Sequence, residues 1–170
     1  EIGVRLVGSE MCIRDRDNEY GVNAPFYNME DGSVMTVFRY KEQHQSYPGR
    51  VHGGMITAML DEMGLRSLWA KELSEETFGV TISLDTKYRK PVPYETELIG
   101  RGVVVKNTSH FIITDSYIMD KDGEILANGR IKYIKMDTQK IQEGVEVHEE
   151  MPYLVEDGRT EIEGPFFDNL

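Results

Sequence analysis

Cysteine is almost absent from this chain, with one, Cys12, in 170 residues. A single thiol closes no disulfide framework and builds no cysteine-ligated zinc site, and a reducing cytoplasm is the default expectation. Long apolar runs are missing too. No stretch approaches the 18 or so residues that a membrane-spanning helix needs, so no membrane association is expected. Positive charge is scarce, with 19 Lys and Arg against 30 Asp and Glu. Without a basic stripe or a helix-turn-helix pattern, the chain makes a poor nucleic-acid binder, and no such partner is expected. The histidines His44, His110 and His148 show no metal-ligand spacing. No Ser-His-Asp pattern or nucleophile elbow is present. No internal repeat is visible, and the length suits one domain with a sizeable core.

The acidity is unevenly spread. Residues 137–170 hold ten acids and two bases, the first sixteen residues balance, and residues 17–136 carry only three of the eleven net negative charges. The tail is therefore set apart as an acidic C-terminal extension, and the body between is close to neutral. The N-terminal residues 1–16 are set apart for a different reason. Glu10-Met-Cys-Ile-Arg-Asp15 resembles the translation of a sequencing-library transposon end, which would make this segment foreign to the fold and remove Cys12 from consideration.

What is present centres on Tyr47 to Ala70. Pro48-Gly49 is a turn dipeptide, and after Gly54 the chain has no proline, few β-branched residues and a 3.6-residue periodicity, which predicts one long helix. Ile56, Met59, Leu60, Met63 and Ala70 form one apolar face. Thr57, Ala58, Leu65 and Leu68 lie opposite, so this helix is expected to be covered on most sides and to sit at the centre of the fold. Glu62 has Arg66 at i+4, in the favourable acid-before-base order. Asp61 has no cation at helical spacing. A carboxylate held among apolar groups without a partner is costly to ionise, which makes Asp61 a candidate base or nucleophile; one satisfied by water or a backbone donor is the plainer alternative.

At the start of the same helix, Gly53 and Gly54 are expected to present backbone N–H groups with no intrahelical acceptor, a site for an oxyanion or anion. A tight turn at His52-Gly53-Gly54 is the plainer reading of those residues alone. Gly53 and Asp61 are eight residues apart. That is about 12 Å along a helix rising 1.5 Å per residue, too far for one carbonyl to touch both, so a second chain or an extended substrate is required.

The string His52-Gly53-Gly54, six intervening residues, then Asp61 resembles the hotdog-fold thioesterases, specifically the 4-hydroxybenzoyl-CoA and phenylacetate-pathway (PaaI-like) branch. The resemblance covers roughly Tyr20 to Met136. It implies a helix wrapped by an antiparallel sheet, and subunits paired so that each site joins the helix N-terminus of one to the carboxylate of the other. It further implies that Gly53 supplies the oxyanion N–H and that Asp61 is nucleophile or general base. Many members carry Asn six residues before the histidine; this chain has Ser46 there, and any contact of that residue with a substrate carbonyl is correspondingly open.

The remaining pattern is of strands. Val34 to Tyr40 is rich in β-branched and aromatic residues. Phe78 to Tyr88 alternates, with Phe78, Val80, Ile82, Leu84 and Tyr88 expected on a buried face and Gly79, Thr81, Ser83, Asp85 and Lys87 on the other. Thr81 matches the position at which some relatives carry a hydroxyl that orients water; a solvated strand threonine is the plainer reading. Further strands are predicted at Leu98 to Val105, Phe111 to Met119 and Ile125 to Ile134, joined by short polar turns. One strand, one long helix and then four strands is an α+β order.

The expected architecture is an α+β hotdog fold, a five- to six-stranded antiparallel sheet wrapped around one long central helix. The expected activity is hydrolysis of an acyl-CoA thioester, with coenzyme A entering as part of the substrate and no other cofactor or metal. A homodimer or tetramer of dimers is the implied assembly. Gly54 and Ser46 are candidate substrate contacts. Lys87, Arg89, Lys90, Arg101 and Lys106 could meet the phosphates of coenzyme A, although solubility at a sheet edge is the plainer reading of such a cluster. A non-catalytic acyl-CoA-binding domain is the main rival. A hydratase would require a His and Asp pair at a spacing not found here.

Overall fold

The protein is described from a computed structural model covering residues 5–6, 20–71 and 77–137. Cys12 and the acidic extension after Asp137 lie outside the described residues. Seven strands form one antiparallel sheet: Arg5–Leu6 (β1), Phe26–Asn28 (β2), Val34–Phe38 (β3), Thr77–Tyr88 (β6), Leu98–Asn107 (β7), Phe111–Met119 (β8) and Ile125–Asp137 (β9). Their order across the sheet is β1-β2-β3-β7-β8-β9-β6. Gln45–Tyr47 (β4) and Arg50–Val51 (β5) make a separate hairpin, preceded by one 3-10 turn at Glu42–His44. The one long helix among the described residues, Gly53–Lys71 (α1), packs against the middle of the sheet, chiefly β7 and β8. None of the helices described is long and apolar enough to cross a membrane.

The strands expected from the sequence are all present. The count exceeds the expected five to six because β1 and β2 span only two and three residues, too few to show a period of two. Arg5–Leu6 pairs with Tyr27 and Asn28, so two residues of the segment set apart as foreign contribute to the sheet edge.

The helix is central because the sheet gives it room. Met59, Leu60 and Met63 are completely buried. On β7, Gly100 and Gly102 face Met63, and a side chain at Gly102 would run into the Met63 carbonyl. Two glycines at alternate strand positions thus let helix backbone and sheet backbone approach closely, which no other residue type allows. The Glu62–Arg66 pair forms at 2.7 Å as its spacing predicts, but both side chains are over nine-tenths buried. Arg66 also stacks over the rings of Phe26 and Trp69.

One expectation fails on β6. Val80 and Ile82, expected on a buried face, are 38% and 48% exposed. The cause is a bulge between Thr81 and Ser83 in the pairing with β9. An extra residue reverses which parity faces inward. Before the bulge Gly79 and Thr81 look toward α1; after it Thr86 and Tyr88 do. The side chain of Phe78 lies outside the described residues.

Candidate active site

The chain reaches α1 through the β4–β5 hairpin, which turns at Pro48 and Gly49, the latter with φ of 75°. Proline presets the first central torsion and glycine accepts the positive φ that follows, the residues a type II turn demands. The buried His44 ring anchors the hairpin. Its Nδ1 accepts the Lys41 N–H at 3.1 Å, its Nε2 meets the Tyr20 carbonyl at 2.7 Å, and its carbonyl accepts the His52 N–H at 2.8 Å.

His52 is thereby fixed as the residue before the helix. Its carbonyl accepts from Met55 and Ile56 at 3.0 and 3.2 Å, and its Nδ1 accepts the Gly54 N–H at 3.0 Å. A side chain accepting from the second helical N–H is a cap. The expectation that both glycines offer bare donors is therefore corrected: the Gly54 N–H is taken by His52, and the Gly53 N–H is the one left without an acceptor among the described residues. That first turn is held from outside by two phenols. Tyr88 donates to the Gly53 carbonyl at 3.0 Å and lies 2.7 Å from Thr57 Oγ1, while Tyr40 donates to the Met55 carbonyl at 3.3 Å.

An open groove of about 560 Å³ runs past this helix end. It gathers Ser46, His52, Gly53, Gly54, Arg89 and Lys90 from the sequence-predicted set, and adds Tyr47, Arg50 and Tyr88, which the sequence did not single out. Arg89 and Lys90 are already engaged at the surface, Arg89 with Asn128 at 2.7 Å and Lys90 in an ion pair with Glu124. Lys87 is exposed on β6 outside the groove. Lys106 stands at the opposite end of the sheet, beside the start of β8, and Arg101 pairs with Asp31 at 2.7 Å. Those three bases are not brought to the groove.

Asp61 is not in the groove either. Two turns along the helix, its carboxylate meets two hydroxyls: Thr81 Oγ1 at 3.0 and 3.1 Å from the two oxygens, and Tyr133 Oη at 3.1 Å from Oδ1. The same phenol lies 2.9 Å from the Asp61 carbonyl oxygen. The expectation of a carboxylate without partners is thus replaced by one with two neutral donors, because the bulge in β6 turns Thr81 inward and the register sets it opposite Tyr133 on β9. Burial above all, and then the nearby Asp61 charge, push the Tyr133 phenol far above its ordinary range, so it remains a protonated donor. Sequence reasoning missed Tyr133. Its only local signal was a hydroxyl-bearing aromatic in a strand otherwise lined by Ile131 and Ile134.

A sheet wrapped around one central helix, with a free N–H at the helix start and a hydroxyl-held carboxylate on its flank, defines a hotdog-fold protein. A sequence profile described as "Thioesterase superfamily" matches residues 48–127, which include both positions. Over that stretch, a little under half of its length, the chain is similar to the thioesterase superfamily. It is 23% identical over 100 residues to human acyl-coenzyme A thioesterase 13, an overlap of 58% of this chain and 70% of that protein. Among solved structures, it resembles protein RHA08564, a thioesterase superfamily protein, with a TM-score of 0.67 at 23% identity, covering 74% of this chain and 63% of that one. It also resembles a hypothetical thioesterase from Streptococcus pneumoniae TIGR4 crystallised with coenzyme A, with a TM-score of 0.61 at 19% identity, covering 68% and 90%. Those two likenesses speak for the fold.

Proposed function

We propose that the protein hydrolyses an acyl-CoA thioester, working as a homodimer in which Gly53 of one subunit and Asp61 of the other share a site. The observation that carries this reading is the Gly53 N–H, left without an acceptor at a helix N-terminus where it opens into a groove beside Arg50, Arg89 and Lys90. A thioester carbonyl placed there gains a donor aimed at the oxygen on which negative charge develops. Asp61 then either removes a proton from water, whose oxygen attacks the carbonyl carbon, or attacks that carbon itself. In the first route, collapse of the tetrahedral intermediate expels the coenzyme A thiolate, which takes up the proton held by Asp61. In the second, the thiolate leaves behind an acyl-aspartyl anhydride, and water cleaves it to the free acid and the Asp61 carboxylate, its spare proton going to the thiolate. The groups invoked are the Gly53 N–H, the Asp61 carboxylate and water, and coenzyme A enters as part of the substrate.

Pairing of subunits is supported by two features. About 12 Å of helix rise separates Gly53 from Asp61, so one chain does not join them at a single carbonyl. The edge strand β6 is twelve residues long, is hydrogen-bonded on one side only among the described residues, and exposes Val80 and Ile82. A long apolar edge of this kind is a template for pairing with another strand. The separation of groove from carboxylate also sustains the second reading, a domain that binds acyl-CoA without turning it over.

Thiol release from short, medium, long and aromatic acyl-CoAs separates the two. Hydrolysis that falls roughly a hundred- to ten-thousand-fold on Asp61→Asn is the expected result. Retained hydrolysis in that variant would sink the assignment of Asp61. No release from any substrate, with acyl-CoA still raising the melting temperature, would establish the binding domain.

A further inference from the structure

We infer that Tyr133 is a positioning residue for the Asp61 carboxylate, and that Gly64 is the opening in the helix through which it reaches; this rests on the assignment of Asp61 proposed above. The phenol stands on β9, fully buried, yet its Oη emerges at the helix surface where it lies within 3.1 Å of Asp61 Oδ1 and 2.9 Å of the Asp61 carbonyl. It can do so because Gly64 follows Asp61 by three residues on the same side of α1. A methyl group at Gly64 would collide with Tyr133 Oη and with Thr114 Oγ1 from β8, and would press against Ser116 Oγ at 3.4 Å. The missing side chain is therefore filled by hydroxyls, and only one of them touches Asp61.

The arrangement constrains Asp61 in a way that Thr81 alone does not. Thr81 lies on an exposed part of the edge strand and has one proton to share between two oxygens at 3.0 and 3.1 Å. Tyr133 comes from the sheet interior and bridges the side-chain and main-chain oxygens of one residue, which fixes the χ1 and χ2 torsions of Asp61 relative to the helix. With Tyr133 donating to Oδ1, Oδ2 meets only the Thr81 hydroxyl, shared with Oδ1, and keeps lone-pair capacity toward water or a carbonyl carbon. The charged groups nearby do not supply the same restraint, since Glu62 on the adjacent helix position is paired with Arg66. Tyr133 does not reach the groove. Its effect on catalysis passes through Asp61.

The test is a cycle of Tyr133→Phe and Asp61→Asn, read by steady-state kinetics, with Gly64→Ala alongside. Tyr133→Phe removes the hydroxyl and keeps the buried ring. It is expected to lower kcat roughly ten- to a hundred-fold, the worth of a hydrogen bond to a charged group, with KM changed less than about two-fold. In the Asp61→Asn background the same change is expected to have no further effect on kcat. Gly64→Ala, which pushes the phenol away, is expected to reproduce the kcat loss while coenzyme A still binds. Unaltered kcat in Tyr133→Phe, with Asp61→Asn inactive, would overturn the role of Tyr133 and leave the catalytic assignment standing. Should the wild-type protein release no thiol, the proposed function fails, and proton NMR still decides the contact: a slowly exchanging Tyr133 hydroxyl resonance that moves in Asp61→Asn supports it, and its absence from the wild-type spectrum refutes it.

Discussion

His52 is the residue on which a catalytic and a structural reading diverge most cleanly. Its Nδ1 is occupied by the Gly54 N–H, so the imidazole caps the helix. Replacing it by alanine should cost about 1 kcal/mol, the ordinary worth of a cap, while asparagine, a strong capping residue, should retain most of the stability and the turnover. Chemical denaturation and thiol release on the two variants check this; equal loss of activity in both would mean that the ring transfers protons. The same scale shows what single positions reveal in advance. As candidates, Asp61 stood out in the sequence because it lacked a cation at helical spacing, and Gly53 because a Gly-Gly pair at a helix start brings N–H groups without an intrahelical acceptor. That Asp61 has neutral partners was not legible, because Thr81 and Tyr133 lie 20 and 72 residues away in sequence. Only the pairing of β6 with β9 brings them together.

At the scale of elements, period-two alternation identified β6 and then misassigned its faces. A bulge is one residue in one strand, and nothing in Thr81-Ile82-Ser83 announces it. The consequence is an outward-facing apolar pair, Val80 and Ile82, on the sheet edge. Changing Ile82 to lysine should leave the monomer fold nearly as stable, since the side chain is about half exposed. Under the proposed pairing it should also shift the protein toward monomer in light scattering and lower turnover in proportion. In α1, the i+4 spacing of Glu62 and Arg66 was plain, but their burial was not, because the short strand β2 that brings Phe26 over Arg66 has no readable period. Glu62→Gln leaves a buried guanidinium without its counter-charge and should destabilise the protein by about 3–5 kcal/mol in urea. An exposed pair of the same spacing would cost only a few tenths.

For the whole molecule, fold class followed from element order, one strand, a long helix and then strands joined by short turns. The depth to which the helix sinks did not. It is set by Gly100 and Gly102 against Met63, a contact between elements almost forty residues apart. Gly102→Ala should force helix and sheet apart and cost about 1–3 kcal/mol, as overpacked interiors do, detectable as a lower melting temperature. Because α1 carries both Gly53 and Asp61, such a shift should also lower kcat in the folded protein.

The helix that holds a donor at its first residue and a carboxylate two turns later has a further consequence under the proposed pairing. Each protomer is then half of two reactions, and damage to one half can be complemented by a neighbour damaged in the other. Gly53→Pro deletes the N–H at a helical position that tolerates proline, and Asp61→Asn removes the base. Each homodimer should be nearly inactive. Refolded together, the two inactive proteins should regain about a quarter of wild-type activity, because half of the randomly paired dimers would hold one intact site in two.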